Sequence, residues 1–112
     1  MEKVFRKCED KYVNNNLFYL NKDDLLYEYV VDNDVVGYGV FRNNKYDMIQ
    51  IYIKNECQNR HFGSELFNYM IKLNNDDKTV SVNEDNVKMI RIIINNGGIE
   101  IGKNNGINTY MI

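Results

Sequence analysis

Proline, tryptophan and alanine are all missing from this chain, and its 112 residues hold only two cysteines and one histidine. Cys8 and Cys57 have no metal-ligand spacing and no partner pattern, so neither a metal centre nor a disulfide framework is expected. A reducing, cytoplasmic setting fits them best. Nowhere do roughly 18 apolar residues run together, so a membrane-spanning helix is not expected. Residues 1–12 contain no apolar core of a signal peptide. An excess of one charge is lacking too: the formal net charge is −2. That balance argues against a nucleic-acid partner, whose phosphates attract basic surfaces, and against a polybasic membrane face.

What is present in excess is asparagine, with a run at residues 14–16. The apolar residues nevertheless keep strand and helix periods throughout, so the bias reads as one of coding rather than low complexity. The length suits a single domain over residues 1–112, which buries roughly two thirds of its unfolded surface and forms one core without staples. Residues 17–20 form a short apolar run that reads as a strand. Residues 25–31 and 35–42 flank Asp32-Asn33-Asp34 and read as a β-hairpin. Asn43-Asn44 makes the next turn, and residues 45–53 alternate as a third antiparallel strand. The period then changes. Leu66, Phe67, Met70, Ile71 and Leu73 form a helical stripe over residues 64–74, with Ser64 as its N-cap. A strand at residues 79–82 precedes a second helix, capped by Asn83 and ended by Gly97-Gly98. Residues 99–101 and 107–112 make a final hairpin. The fold class is therefore α/β (α+β): a mixed, mostly antiparallel sheet flanked by helices, with one crossover.

The most informative stretch is residues 51–66. An apolar strand ends, a polar bend follows, and Gly63-Ser64 opens a helix. That geometry turns several backbone N–H groups toward one spot at the positive end of a helix dipole, which is a place for phosphate. A diphosphate needs convergent donors without crowding side chains, which Gly63 provides, and Arg60 adds a charge at the rim.

With the element order in view, Gln58-Asn59-Arg60-His61-Phe62-Gly63 resembles the Gln/Arg-x-x-Gly-x-Gly/Ala motif of the GNAT superfamily of N-acetyltransferases. Asn86 near the start of the later helix, with Gly97-Gly98 after it, resembles that family's second signature. The resemblance covers roughly residues 25–112. It implies acetyl-CoA as cosubstrate and a small-molecule or peptide amine as acceptor. The backbone of Asn59, Arg60, His61, Phe62, Gly63 and Ser64 would hold the pyrophosphate. The backbone of Ile51 and Ile53 would pair with the pantetheine arm where the strand splays from its neighbour, and Asn86 would reach that arm from the other side. Direct attack of a neutral amine on the thioester is the implied chemistry, with a strand amide near Ile51 polarising the carbonyl.

His61 replaces the motif's first glycine. Either the site needs an unusual backbone angle, which histidine tolerates, or the imidazole donates to phosphate. Asp47 matches the strand glutamate that serves some members as general base, against the alternative of an exposed strand residue. Tyr52 is a second polar candidate beside the splay, or a packing aromatic. Ile93 stands where the family often places a tyrosine to protonate the leaving thiolate, so that acid is missing from its usual place. Cys57 has no base beside it and reads as a small apolar loop residue. Family members usually begin with a strand and two helices, whereas the residues before Leu25 show no helical stripe. The acceptor half therefore reads as reduced. Exposed strand edges in so short a domain leave a homodimer open.

Overall fold

A computed structural model describes residues 1–8, 22–42, 48–73 and 77–112, with the side chain of Met48 not described. Seven strands form one sheet in the order β1-β2-β3-β4-β5-β7-β6. They are β1 (Lys3–Lys7), β2 (Leu25–Val31), β3 (Asp34–Phe41), β4 (Met48–Ile53), β5 (Thr79–Asn83), β6 (Ile99–Asn104) and β7 (Ile107–Met111). Helix α1 (Phe62–Ile71) joins β4 to β5, and α2 (Val87–Asn95) joins β5 to β6. Only β4 and β5 run parallel; every other pairing is antiparallel. The expected mixed sheet with one crossover is the observed one. The expected strand at 17–20, the turn at 43–44 and Asp47 lie outside the described residues.

The two hairpins follow their turn chemistry. Asp32 and Asn33 both take positive φ (50° and 71°), as do Asn105 and Gly106 (52° and 79°). Two successive residues of this kind make the turn whose twist matches that of the flanking strands, and Asn, Asp and Gly tolerate it best.

Three sequence expectations are corrected. β1 was not foreseen. It is an edge strand with charged Lys3, Arg6 and Lys7, held by Phe5, whose ring stacks on Tyr29 (4.2 Å) and on Tyr69 (4.5 Å). α1 begins at Phe62, with His61 rather than Ser64 at its N-cap position. α2 is capped by Asn86 rather than Asn83, the Asn86 side chain accepting from the Met89 N–H at 3.2 Å. Glu84 and Asp85 stay in a turn because the Glu84 N–H donates to the Gly106 carbonyl at 2.9 Å, tying that turn to the last hairpin.

The core lies between the sheet and α1. Phe62, Leu66, Phe67 and Met70 are the buried face of α1, and they pack on Tyr29, Val31, Phe41, Ile49 and Val80. Their spacing of about one helical turn places them in a single stripe. Gly39 lets α1 approach: a Cβ there would lie 2.7 Å from the Met70 sulfur. Ile93 of α2 joins the same cluster, while Leu26, Tyr38 and Val40 form a smaller one. Arg42 spans the sheet on its own account, pairing with the buried Asp24 carboxylate at 2.5 Å and with Gln50 Oε1 at 3.0 Å. Truncating Arg42 would strand a buried charge, a change that typically costs several kcal/mol. Among the described residues, no helix is long and apolar enough to cross a membrane.

Candidate functional site

The parallel ladder between β4 and β5 is short. It pairs Met48 with Thr79 and Ile49 with Val80, yet β4 continues to Ile53 and β5 to Asn83. Beyond Ile49 the two strands are no longer paired, and the sheet opens into a cleft. The hydrogen-bond parity of β4 decides what faces that cleft. The Lys54 N–H donates to the Val36 carbonyl at 2.9 Å, in the same register that pairs Ile53 with Gly37. Even-numbered positions therefore turn their N–H and C=O toward β3, and odd-numbered ones turn away from it. The main-chain groups of Ile51 and Ile53 look into the opening.

The bend after β4 then aims a helix at the same place. A 3₁₀ turn (Asn55–Cys57) follows β4, and Asn59 and His61 both adopt left-handed φ, 67° and 66°. Such angles are tolerated by Asn and His better than by most residues other than glycine. For His61 this is the backbone role foreseen at that position. α1 starts immediately afterwards. No side chain caps it, and its first intrahelical bond runs from the Glu65 N–H to the His61 carbonyl at 3.1 Å. The N–H groups of Phe62, Gly63 and Ser64 thus lack an intrahelical acceptor. A helix start left uncapped beside a cleft is a set of donors waiting for an anion.

The cleft has a volume of about 590 Å³, within the usual range for small-molecule sites. Of the residues expected to hold a cofactor, Ile51, Ile53, Gln58, Asn59, His61, Phe62, Gly63, Ser64 and Asn86 all line it. Arg60 is exposed and does not. Tyr52 does not line it either: it alternates with Ile51 and Ile53 and pairs with Tyr38, so its side chain belongs to the other face of the sheet. Asp47 lies outside the described residues.

Two residues have local work of their own. Gln58 Nε2 donates to the Ile53 carbonyl at 3.3 Å and to Asn55 Oδ1 at 3.2 Å, which holds the bend against the end of β4. Gly63 sits between the cleft walls: a Cβ there would touch Ile53 Cγ1 and Ile92 Cδ1 at ordinary contact distance, 3.6 Å each. Sequence reasoning missed the α2 wall, where Lys88, Met89, Arg91, Ile92 and Asn95 complete the cleft. On an isolated helix Lys88, Arg91 and Asn95 read as a solvent face, and only the packing of α2 beside the start of α1 turns them inward. Ile93 is fully buried in the core, so the position of the expected acid carries a packing residue. Tyr110 is buried as well and accepts a hydrogen bond from Asn108 Nδ2 at 3.2 Å.

A splayed parallel pair, a helix start at its mouth and an asparagine-capped helix on the far wall define the fold of GNAT-type N-acetyltransferases, and solved structures of that fold match this chain. Mutant forms of spermidine/spermine N-acetyltransferase SpeG from Vibrio cholerae superpose with a TM-score of 0.78 at 17% identity, over 99% of this chain and 94% of that one. A dodecameric structure of the V. cholerae spermidine N-acetyltransferase matches over 82% of this chain and 66% of that one, with a TM-score of 0.68 at 19% identity. N-acetyltransferase PseH from Campylobacter jejuni, solved in complex with acetyl coenzyme A, covers 82% of this chain and 69% of its own, with a TM-score of 0.70 at 15% identity. At these identities the likeness is one of fold. No family model matches the sequence, and no curated protein does.

Proposed function

We propose that the chain is an acetyl-CoA-dependent N-acetyltransferase acting on a primary amine, carried on a small molecule or a peptide. The observation that carries this reading is the opening between β4 and β5 with the uncapped start of α1 at its mouth. The donor set suits the cosubstrate at both ends. The free amides of Phe62, Gly63 and Ser64 suit a diphosphate, and the strand edge at Ile51 and Ile53 suits an extended, amide-bearing arm. Asn86 uses its side-chain oxygen to cap α2, which leaves its NH₂ to donate toward the same arm.

When bound, acetyl-CoA supplies an activated thioester. The protein's part is orientation and a donor for developing negative charge, a role the Ile51 N–H is turned to fill. The acceptor amine must arrive neutral. Tyr52, on the face opposite the cleft, and Asp47, upstream on the same chain segment, are the groups proposed to receive its proton. Ile93 offers no proton to the leaving sulfur. That burial favours a second reading, a non-catalytic acyl-CoA-binding or regulatory module of the same fold. A homodimer is proposed for either, and a cytoplasmic location.

Gly63→Asp tests the site. An acid in the first turn is favourable to a helix, so the fold is expected to persist, while a carboxylate beside the free amides repels a diphosphate. Acetyl-CoA should raise the melting temperature of the wild type and of Gly63→Ala, and should not shift Gly63→Asp. Failure of millimolar CoA and acetyl-CoA to stabilise the wild type would sink the proposal. Release of free CoA across a panel of amines separates the enzyme from the binding module, which binds without turnover.

A further inference from the structure

The cleft has a charge pattern that a diphosphate at α1 does not exhaust. Its lining includes Lys88 and Arg91 and neither Asp nor Glu, although the whole chain is acidic by two charges. Both cations stand on α2, with Asn95 one turn beyond Arg91, on the flank that faces the start of α1. Lys88 Nζ donates across the mouth of the cleft to Asn59 Oδ1. Arg91 takes part in none of the ion pairs among the described residues. Two cationic groups, one of them uncommitted, thus lie across the cleft from amides that already suffice for one anionic group.

We propose that Lys88 and Arg91 form a separate subsite for the 3′-phosphate on the ribose of CoA, so that this chain distinguishes CoA from 3′-dephospho-CoA. This rests on the acetyl-CoA reading and specifies which part of the ligand α2 recognises. A phosphomonoester carries a charge of about −1.5 to −2 and three acceptor oxygens. The planar Arg91 guanidinium can meet two of them with parallel N–H donors, and Lys88 adds a compact charge. Asn59 has a positioning role: from its left-handed backbone (φ 67°) it holds the Lys88 ammonium at the mouth before the ligand arrives.

The test is calorimetric titration of the full chain with CoA and with 3′-dephospho-CoA. Wild type is expected to bind CoA about tenfold more tightly at low salt, with the ratio narrowing as salt screens the exposed cations. The double variant Lys88→Ala/Arg91→Ala should bring CoA down to the affinity of dephospho-CoA and leave the latter unchanged. Both side chains are exposed, so the melting temperature without ligand should not move. Equal affinity of wild type for the two ligands overturns the subsite alone, as does a ratio that survives in the double variant. Absence of binding by either ligand overturns the cofactor reading beneath it.

Discussion

Tyr29 is fully buried, stacked on Phe5 and edge-on to Phe62 at 5.6 Å, and its hydroxyl has no hydrogen-bond partner among the described residues. Burial above all, and then the nearby Glu65 carboxylate, raise its pKa well above the ordinary 10.0. Glu65 exerts that influence while paired with Lys3 at 2.7 Å. The sign of the stability effect follows. Above pH 10 the unfolded chain releases the phenolic proton and the folded chain keeps it. The unfolded state then binds fewer protons, and stability falls as pH rises. Below pH 10 both states are protonated and the contribution is complete. Tyr29→Phe removes both the unpaired hydroxyl and the titration. It should stabilise the protein at neutral pH by about 1 kcal/mol and make the alkaline fall shallower, with Tyr38, also raised by burial, accounting for part of what remains. Urea melts between neutral pH and pH 11 read both effects, and an unchanged alkaline slope in the variant would refute the assignment.

Among the elements, β1 shows how a strand can depend on one side chain. Four of its five residues are exposed, and Phe5 alone reaches the core, between Tyr29 and Tyr69. Phe5→Ala should cost about 2 kcal/mol, less than a fully buried Phe→Ala because the ring is only half-buried. Amide exchange over residues 3–7 should rise far more than over β2 or β3, and uniform exchange through the sheet would contradict a single anchor. The charges that blunt this edge are also what hid it, since Lys3, Arg6 and Lys7 mask any alternation. The hairpins, the third antiparallel strand and the stripe of α1 were legible because local chemistry decides them: Asp32-Asn33, Asn105-Gly106 and the spacing of Leu66, Phe67 and Met70. The helix starts were not. Ser64 is the better N-cap by propensity, but His61 holds that place without capping, and the amides it leaves free are those that face the cleft. Asn83 and Asn86 are equal as caps in sequence, and the bond from Glu84 to Gly106, remote in the chain, chooses between them. The strand residues Ile51 and Ile53 and the bend from Gln58 to Gly63 were readable as a site, whereas the α2 wall depends on packing that no local pattern encodes.

Across the whole molecule the sheet is covered unevenly. α1 and the buried side of α2 close one face over β2 to β5 and part of β7, while every residue of β6 is exposed. Register places Ile99 beside Met111, and the alternation of β7, with Asn108 and Tyr110 buried, puts Ile107 and Met111 together on the face away from the helices. Ile99, Ile107 and Met111 are 69%, 37% and 44% exposed, a cluster of apolar surface larger than isolated exposed side chains would make. The edge itself is poorly suited to pairing, because Ile101 is an extra residue bulging between the Glu100–Tyr110 and Gly102–Thr109 pairs. A second copy would therefore meet this end of the sheet through its apolar face rather than by extending the ladder. Sedimentation velocity should show a concentration-dependent dimer, and Ile99→Lys or Met111→Lys should shift it toward monomer without lowering the melting temperature of the monomer. Because the cleft lies at the other side of β5, the same variants should bind acetyl-CoA as tightly as wild type. A wild-type chain that stays monomeric at its highest soluble concentration would rule the interface out.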